Sequence, residues 1–227
     1  MLFLAVFCGF LAEYQLEHMI EHQREKQYMR SMLSDLSADT ATINAAIPSK
    51  EARIRAIDTV FMFFRANPEA KTIRGNFFRT IRRTNYDIRF IRTNITLNQL
   101  KNAGGMRLVR KKQVADSISS YDLYCESIIS LYNEYYIQHG MLGYRQFEKL
   151  FTAADLLPLY ITNKTEAIVS NIPDSLVVRI NTGALNEQLN FMMQEKAIAR
   201  QEIDRYRKIR EKAVQLMEMI RRQYHIK

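Results

Sequence analysis

His18 and His22 stand four residues apart with Glu17 and Glu21 beside them. On a helix that spacing puts both imidazoles on one face, the first requirement of a zinc site. No third ligand is apparent, and EHMIEH is not the HExxH order of the zincins. The expectation is therefore a polar stalk with two outward histidines and no metal. The second chemical signal is cationic. Between Arg65 and Lys112 there are 13 Lys and Arg against Glu69 and Asp87, a local balance of +11 in a chain whose net charge is +9. Arg74, Arg79, Arg82, Arg83, Arg89, Arg110, Lys111 and Lys112 are the candidates there for contact with an anion such as a phosphate or a lipid head group. The competing reading is a solvated helix face partly paired with acids of neighbouring helices. Phosphate loops, nucleophile elbows and dinucleotide fingerprints do not occur in the sequence; Gly104-Gly105 lacks the Lys-Ser/Thr that a phosphate loop needs and reads as a helix cap. Cys8 and Cys125 cannot build a disulfide framework. No enzyme activity, cofactor or metal is expected.

The elements that would carry these residues are helices. Seven Gly and four Pro in 227 residues leave few turns, and the expected fold is all-α, an elongated helical bundle with long N- and C-terminal helices. From Gly183 to about Tyr224, Leu185, Leu189, Met192, Ala199, Ile203, Tyr206, Ala213, Met217, Ile220 and Tyr224 keep alternating steps of three and four. That predicts one helix of about 40 residues, close to 60 Å long. Its companion is predicted at the other end, where Met29, Leu33, Leu36, Ile43 and Ile47 keep the same spacing until Pro48 stops the helix. Lys50 to Arg65 reads as a second helix. A third begins near Glu69 with Ile73, Phe77 and Ile81 on one face, followed by an irregular connection from Thr84 to Thr93. Thr96-Leu-Asn-Gln99 reads as a capping box for a short helix ended by Gly104. A long helix from about Lys112, with apolar residues on more than one side and central to the bundle, is expected to bend or break at Gly140 and Gly143. From Leu159 to Thr182 the pattern is lost, with Leu176, Val177, Val178 and Ile180 as a short extended piece in a crossover. Asn163-Lys164-Thr165 matches a glycosylation acceptor pattern to which no weight attaches.

Leu2 to Ala12 carries no charge. As a helix it covers about 16 Å, half a bilayer's hydrocarbon. Of the readings open to it, a signal-peptide core lacks a basic n-region and a small-residue cleavage site, and a helix end buried in a core is the plain alternative. The preferred reading is the last part of a transmembrane helix whose start lies upstream, with Tyr14 at the interface. The expected organisation is thus an anchor at 1-14, a stalk and first bundle helix at 15-48, and a bundle domain at 49-227.

The run Thr96 to Tyr121, TLNQLKNAGGMRLVRKKQVADSISSY, resembles the most characteristic segment of an uncharacterised Bacteroidetes family in which one N-terminal transmembrane helix precedes a helical domain. The junction FLAVFCGFLAEYQLEHMIEHQREKQYMRSMLSDLSADT is similar to that family's as well. The resemblance implies membrane attachment and a helical body, and no activity. With Glu13, Glu17, Glu21 and Glu25 outnumbering the nearby basic residues, the expectation is a single-pass protein of the bacterial inner membrane with a periplasmic body. Its role would be that of a membrane-anchored scaffold or interaction protein, with the lipid bilayer, a protein partner or a second copy as partners. A soluble protein holding nucleic acid on the 65-112 block is the alternative. It would want a recognisable module or aromatics interleaved with the charge, and nucleic acid is therefore not the expected partner.

Overall fold

The computed structural model describes residues 2–102, 104–161 and 172–226. Helix makes up 82% of the structure, which settles the all-α class. Six helices are found among the described residues: α1 (Leu2–Ala66), α2 (Gly75–Arg83), α3 (Ile95–Asn102), α4 (Lys112–Leu150), α5 (Ala153–Ile161) and α6 (Thr182–Tyr224). A 3-10 turn, Gly105–Leu108, follows α3, and two short strands, β1 (Thr72–Arg74) and β2 (Val177–Arg179), pair antiparallel with Ile73 opposite Val178. The terminal helices are the long ones, as their spacing predicts.

The transmembrane anchor expected at 1-14 is corrected, and with it the single-pass placement in an inner membrane and the periplasmic body. Among the described residues no helix is long and apolar enough to cross a membrane. The physical reason is that the uncharged run stops at Ala12 and the same helix continues straight into Glu13, Glu17 and Glu21, short of the roughly 20 apolar residues a span requires. The boundaries at 14/15 and 48/49 both fall inside α1.

Pro48 does not stop α1. A proline inside a helix forfeits one backbone hydrogen bond and crowds the preceding turn. Here the flanking positions Ala46, Ile47, Lys50 and Arg53 are buried, and their packing holds the helix through it. Gly140 and Gly143 likewise lie within an unbroken α4. A Cβ on Gly143 would lie 2.4 Å from the Phe191 ring, so the glycine serves close helix packing. Ile73, read as the first apolar residue of a helix, sits in β1. Thr96 falls inside α3, and its backbone N–H donates to the Asp35 carboxylate at 2.8 Å; α1 caps this helix. Gly104 takes the left-handed conformation, φ 64°, as its place after α3 predicts. Residues 162–171, including Asn163, Lys164 and Thr165, and the side chain of Tyr136 lie outside the described residues.

The chain divides into two compact units, to which α1, α4 and α6 each contribute. Unit 1 comprises Met1–Ile43, Phe90–Glu126 and Arg207–Lys227, and unit 2 comprises Asn44–Arg89 and Ser127–Tyr206. In unit 1, Met29, Met32, Leu36 and Ile43 of α1, Val114, Ile118 and Cys125 of α4, and Ile209, Ala213, Leu216 and Ile220 of α6 are buried. Three acids of α1 fasten other segments of unit 1. Asp35 receives Thr96 as above. Asp39 accepts the Thr93 N–H and the Tyr121 hydroxyl, both at 2.6 Å. Glu25 accepts the Arg110 backbone N–H at 2.7 Å and the Tyr224 hydroxyl at 2.5 Å. In unit 2 the core joins Ile57, Val60 and Phe64 of α1 to Phe78 and Ile81 of α2, Leu150, Val178 and Met192.

Candidate functional site

In unit 1, α1 keeps one face buried from Glu25 through Met29, Met32, Leu36 and Asp39 to Ile43. Traced back toward the N-terminus at about 100° per residue, that face carries Tyr14, Leu11, Phe10, Phe7 and Phe3. Phe3, Phe7, Phe10 and Tyr14 follow steps of four, three and four, the spacing of a helix–helix seam, and Val6 flanks it. All are exposed: Phe3 by 82%, Phe7 by 50%, Phe10 by 67% and Tyr14 by 57%. At about 200 Å² per aromatic side chain the four alone leave roughly 500 Å² of ring surface in water, at the upper end of the largest apolar patch on an ordinary monomer. Val6 and Leu11 add to it. The sequence signal for this seam is present, but an uncharged run with apolar residues all round conceals which side faces a neighbour.

His18 and His22 lie just beyond this arm and are exposed. His18 Nδ1 is 3.0 Å from the Arg110 guanidinium, which also donates to Glu21 at 2.9 Å. His22 lies 3.6 Å from Glu25. Among the described residues no group of three or more His, Cys, Asp and Glu could hold a metal ion.

The eight cationic candidates do not fall in one unit. Arg74, Arg79, Arg82, Arg83 and Arg89 belong to unit 2 and Arg110, Lys111 and Lys112 to unit 1. Arg79 donates to the Ile172 carbonyl at 2.5 Å and pairs with Asp174; Arg110 is engaged as described. Arg82 is half-buried, whereas Arg74, Arg83, Arg89, Lys111 and Lys112 are exposed. Two further cations of the block serve the fold: Arg92 pairs with Asp122 at 2.7 Å with its guanidinium over the Tyr121 ring, and Lys101 pairs with the same carboxylate. Burial pushes the Asp122 carboxyl up, but these two hydrogen-bonded cations outweigh it and hold it below the usual carboxylate range.

Unit 2 contains a charged cluster that the spacing also held. In α1 the core positions Ile47, Ile57 and Val60 continue through Lys50 and Arg53, and in α6 the seam Met192, Ala199, Ile203 and Tyr206 continues through Glu195 and Glu202. All four charged residues are buried. Lys50, with no exposed surface, donates to Asp87 at 2.8 and 3.0 Å and to Glu202 at 2.5 Å, and lies over the Tyr206 ring. Arg53 donates to the Thr84 carbonyl at 2.5 Å and pairs with Glu195, whose other oxygen accepts the Tyr135 hydroxyl at 3.1 Å. Burial pushes the Glu202 carboxyl up, against the attraction of Lys50. Opposite charges at facing seam positions fix the register of α1 against α6 in this unit, since a shift of either helix would leave a buried charge unanswered.

Comparison with protein-family models, curated proteins and solved structures finds no match to this chain.

Proposed function

We propose that the chain is a helical scaffold without catalytic activity that assembles with a second copy of itself through the first turns of α1. The observation that carries this is the exposed seam of Phe3, Phe7, Phe10 and Tyr14 on the same face of α1 that is buried from Glu25 onward. Two such arms covering one another would remove about 1,000 Å² of aromatic surface from water. With Val6 and Leu11 the total reaches the lower part of the range for specific interfaces. The run Leu2–Ala12 carries no charge, so two copies meet there without like-charge repulsion, and one patch serves both partners as two-fold pairing requires. A polyanion contact through the 65-112 block has weaker support, because Arg79, Arg92, Lys101 and Arg110 already have acidic partners. The resemblance carried by Thr96–Tyr121 adds no activity to this reading.

The test is the mass of the native chain in solution by light scattering on a sizing column. The expected result is about twice the 26.7 kDa of one chain, falling to a single chain in Phe7→Asp/Phe10→Asp, whose changes touch only exposed positions. A native chain that runs as a monomer at micromolar concentration, or a double variant that keeps the doubled mass, would overturn the reading. So would a monomer whose arm instead takes up lipid vesicles.

A further inference from the structure

The end of α2, the last turns of α4 and the start of α5 line a cavity of about 610 Å³ in unit 2, a size that suits a small organic molecule. Its inner wall is fixed by the core. Phe151 is buried, with its ring edge-on to Phe78 and to Phe147, each at 5.0 Å. On α5, Leu159 is buried in the core of unit 2, and Asp155 accepts the Arg179 backbone N–H and its guanidinium, both at 2.8 Å. The walls are therefore in place before a ligand arrives. Tyr86, Tyr144 and Leu157 also line the cavity and keep 56%, 67% and 56% of their surface in water. A molecule seated there would cover apolar surface that the fold itself leaves wet, and this supplies the binding free energy.

The polar side chains of the lining decide what kind of molecule. Arg82 and Glu148 contribute one charge of each sign. A polar recess of about 150 Å³ shares the walls Asn85 and Tyr144, and its two cations, Arg53 and Arg89, stand against two acids, Asp87 and Glu195. No excess charge of either sign reaches the cavity from its own lining or from the recess. A charged guest would lose its hydration with no net opposite charge to replace it. The side-chain amide of Asn85, half-buried, has no hydrogen-bond partner among the described residues. It can donate to or accept from an uncharged polar group.

We infer that this cavity binds an uncharged, mainly apolar small molecule, whose ring system or alkyl chain lies against Phe147, Phe151 and Leu156 and whose one hydrogen-bonding group meets Asn85. The aromatic lining gives the affinity. The balanced charges give the selection, which acts against anions and cations alike. The site lies away from the α1 arm and does not depend on self-assembly.

The test is a fluorescence titration of the full chain with N-phenyl-1-naphthylamine, an uncharged probe that brightens in apolar surroundings, followed by displacement with three ten-carbon compounds. One probe binds per chain with a Kd on the order of 10 µM. Decan-1-ol displaces it, and decanoate and decylammonium are each weaker than decan-1-ol by tenfold or more. This comparison needs no variant. Asn85→Ala weakens decan-1-ol about three- to tenfold, the loss expected for one neutral hydrogen bond. Ala153→Phe, at an exposed position of the lining, weakens the probe by tenfold or more; Leu157→Asp is the second blocking variant, and all three are first checked for an unchanged melting temperature. Phe7→Asp/Phe10→Asp leaves binding as it was, which separates the cavity from the α1 arm. Absence of saturable one-to-one binding, either ion binding as tightly as decan-1-ol, indifference of decan-1-ol to Asn85→Ala, indifference of the probe to both blocking variants, or loss of binding in the arm variant would each overturn the inference.

Discussion

Replacing Lys50 by Met removes the cation that two buried acids share. Lys50 Nζ lies 2.8 Å from Asp87 Oδ1 and 2.5 Å from Glu202 Oε2, so the two oxygens are within about 5 Å of one another. At an effective dielectric near 20, two unit charges at that separation repel by about 3 kcal/mol. The total loss belongs in the range of about 3 to 5 kcal/mol that follows from breaking a buried pair from one side. Lys50→Met/Glu202→Gln removes the repulsion along with the cation, and should recover about 3 kcal/mol of the loss. The assay is urea denaturation of the full chain followed by circular dichroism, at about pH 8 and again near pH 5.5. The sign of the pH effect follows from Glu202. Its carboxyl is held above the ordinary value by burial, so the folded state takes up its proton more readily than the unfolded one, and the deficit of Lys50→Met shrinks as pH falls. A single variant within about 1 kcal/mol of the native chain, a double variant less stable than the single one, or a deficit that widens on acidification would refute the reasoning.

Asp122→Asn removes a carboxylate held low by Lys101 and Arg92 against the upward push of burial; its stabilising effect is present at neutral pH and is lost as pH falls through its lowered value. The variant should lose about 2 kcal/mol near pH 7 and show a shallower acid-unfolding limb below about pH 4, read by circular dichroism across pH. Gly75→Ala places a Cβ 2.0 Å from the Pro173 carbonyl oxygen, a backbone atom that cannot step aside, and should cost about 3 kcal/mol in the same denaturation assay.

Much of the fold is legible in the chain because it is written in helical spacing. The seam from Leu185 to Tyr224 runs along α6 from half-buried Leu185 and Leu189 to fully buried positions. The irregular stretch from Thr84 to Thr93, the extended Val177–Val178 and the left-handed Gly104 also follow from local chemistry. What was hidden depends on tertiary contact. Nothing local says that Pro48 will be carried through a helix by the burial of Lys50 and Arg53, or that Asp35, not Thr96, will cap α3. Ile73, Phe77 and Ile81 keep a helical spacing although Ile73 pairs with Val178 in a sheet, a partner far along the chain. The second apolar side of α4 misled as well, since Leu123 and Leu131 are exposed.

The site divides in the same way. Lys50 and Arg53, and Glu195 and Glu202, stand at seam positions where charge is costly, a readable sign that they pair, but no spacing says with whom. The basic block was visible as a sum. Its fate was not, because Asp174, Asp122 and Glu21, which hold Arg79, Arg92, Lys101 and Arg110, lie outside the block. The uncharged start of α1 supported too large a conclusion, because apolar character was legible and its length did not suffice for a span.

Cys8 offers the most direct measurement of self-assembly through α1. It is exposed and stands level with the middle of the stripe from Phe3 to Tyr14, on another side of the helix, so its counterpart lies within about the width of two helices whether the arms pair parallel or antiparallel. Cys125 is buried, and burial pushes its thiol up to about 11, so a nitroxide reagent at neutral pH labels Cys8. Packed helices run about 8–10 Å apart, and pulsed dipolar spectroscopy of the labelled native chain should find a label pair within about 30 Å that vanishes in Phe7→Asp/Phe10→Asp. A native chain giving only the uniform background of unpaired labels would contradict the account.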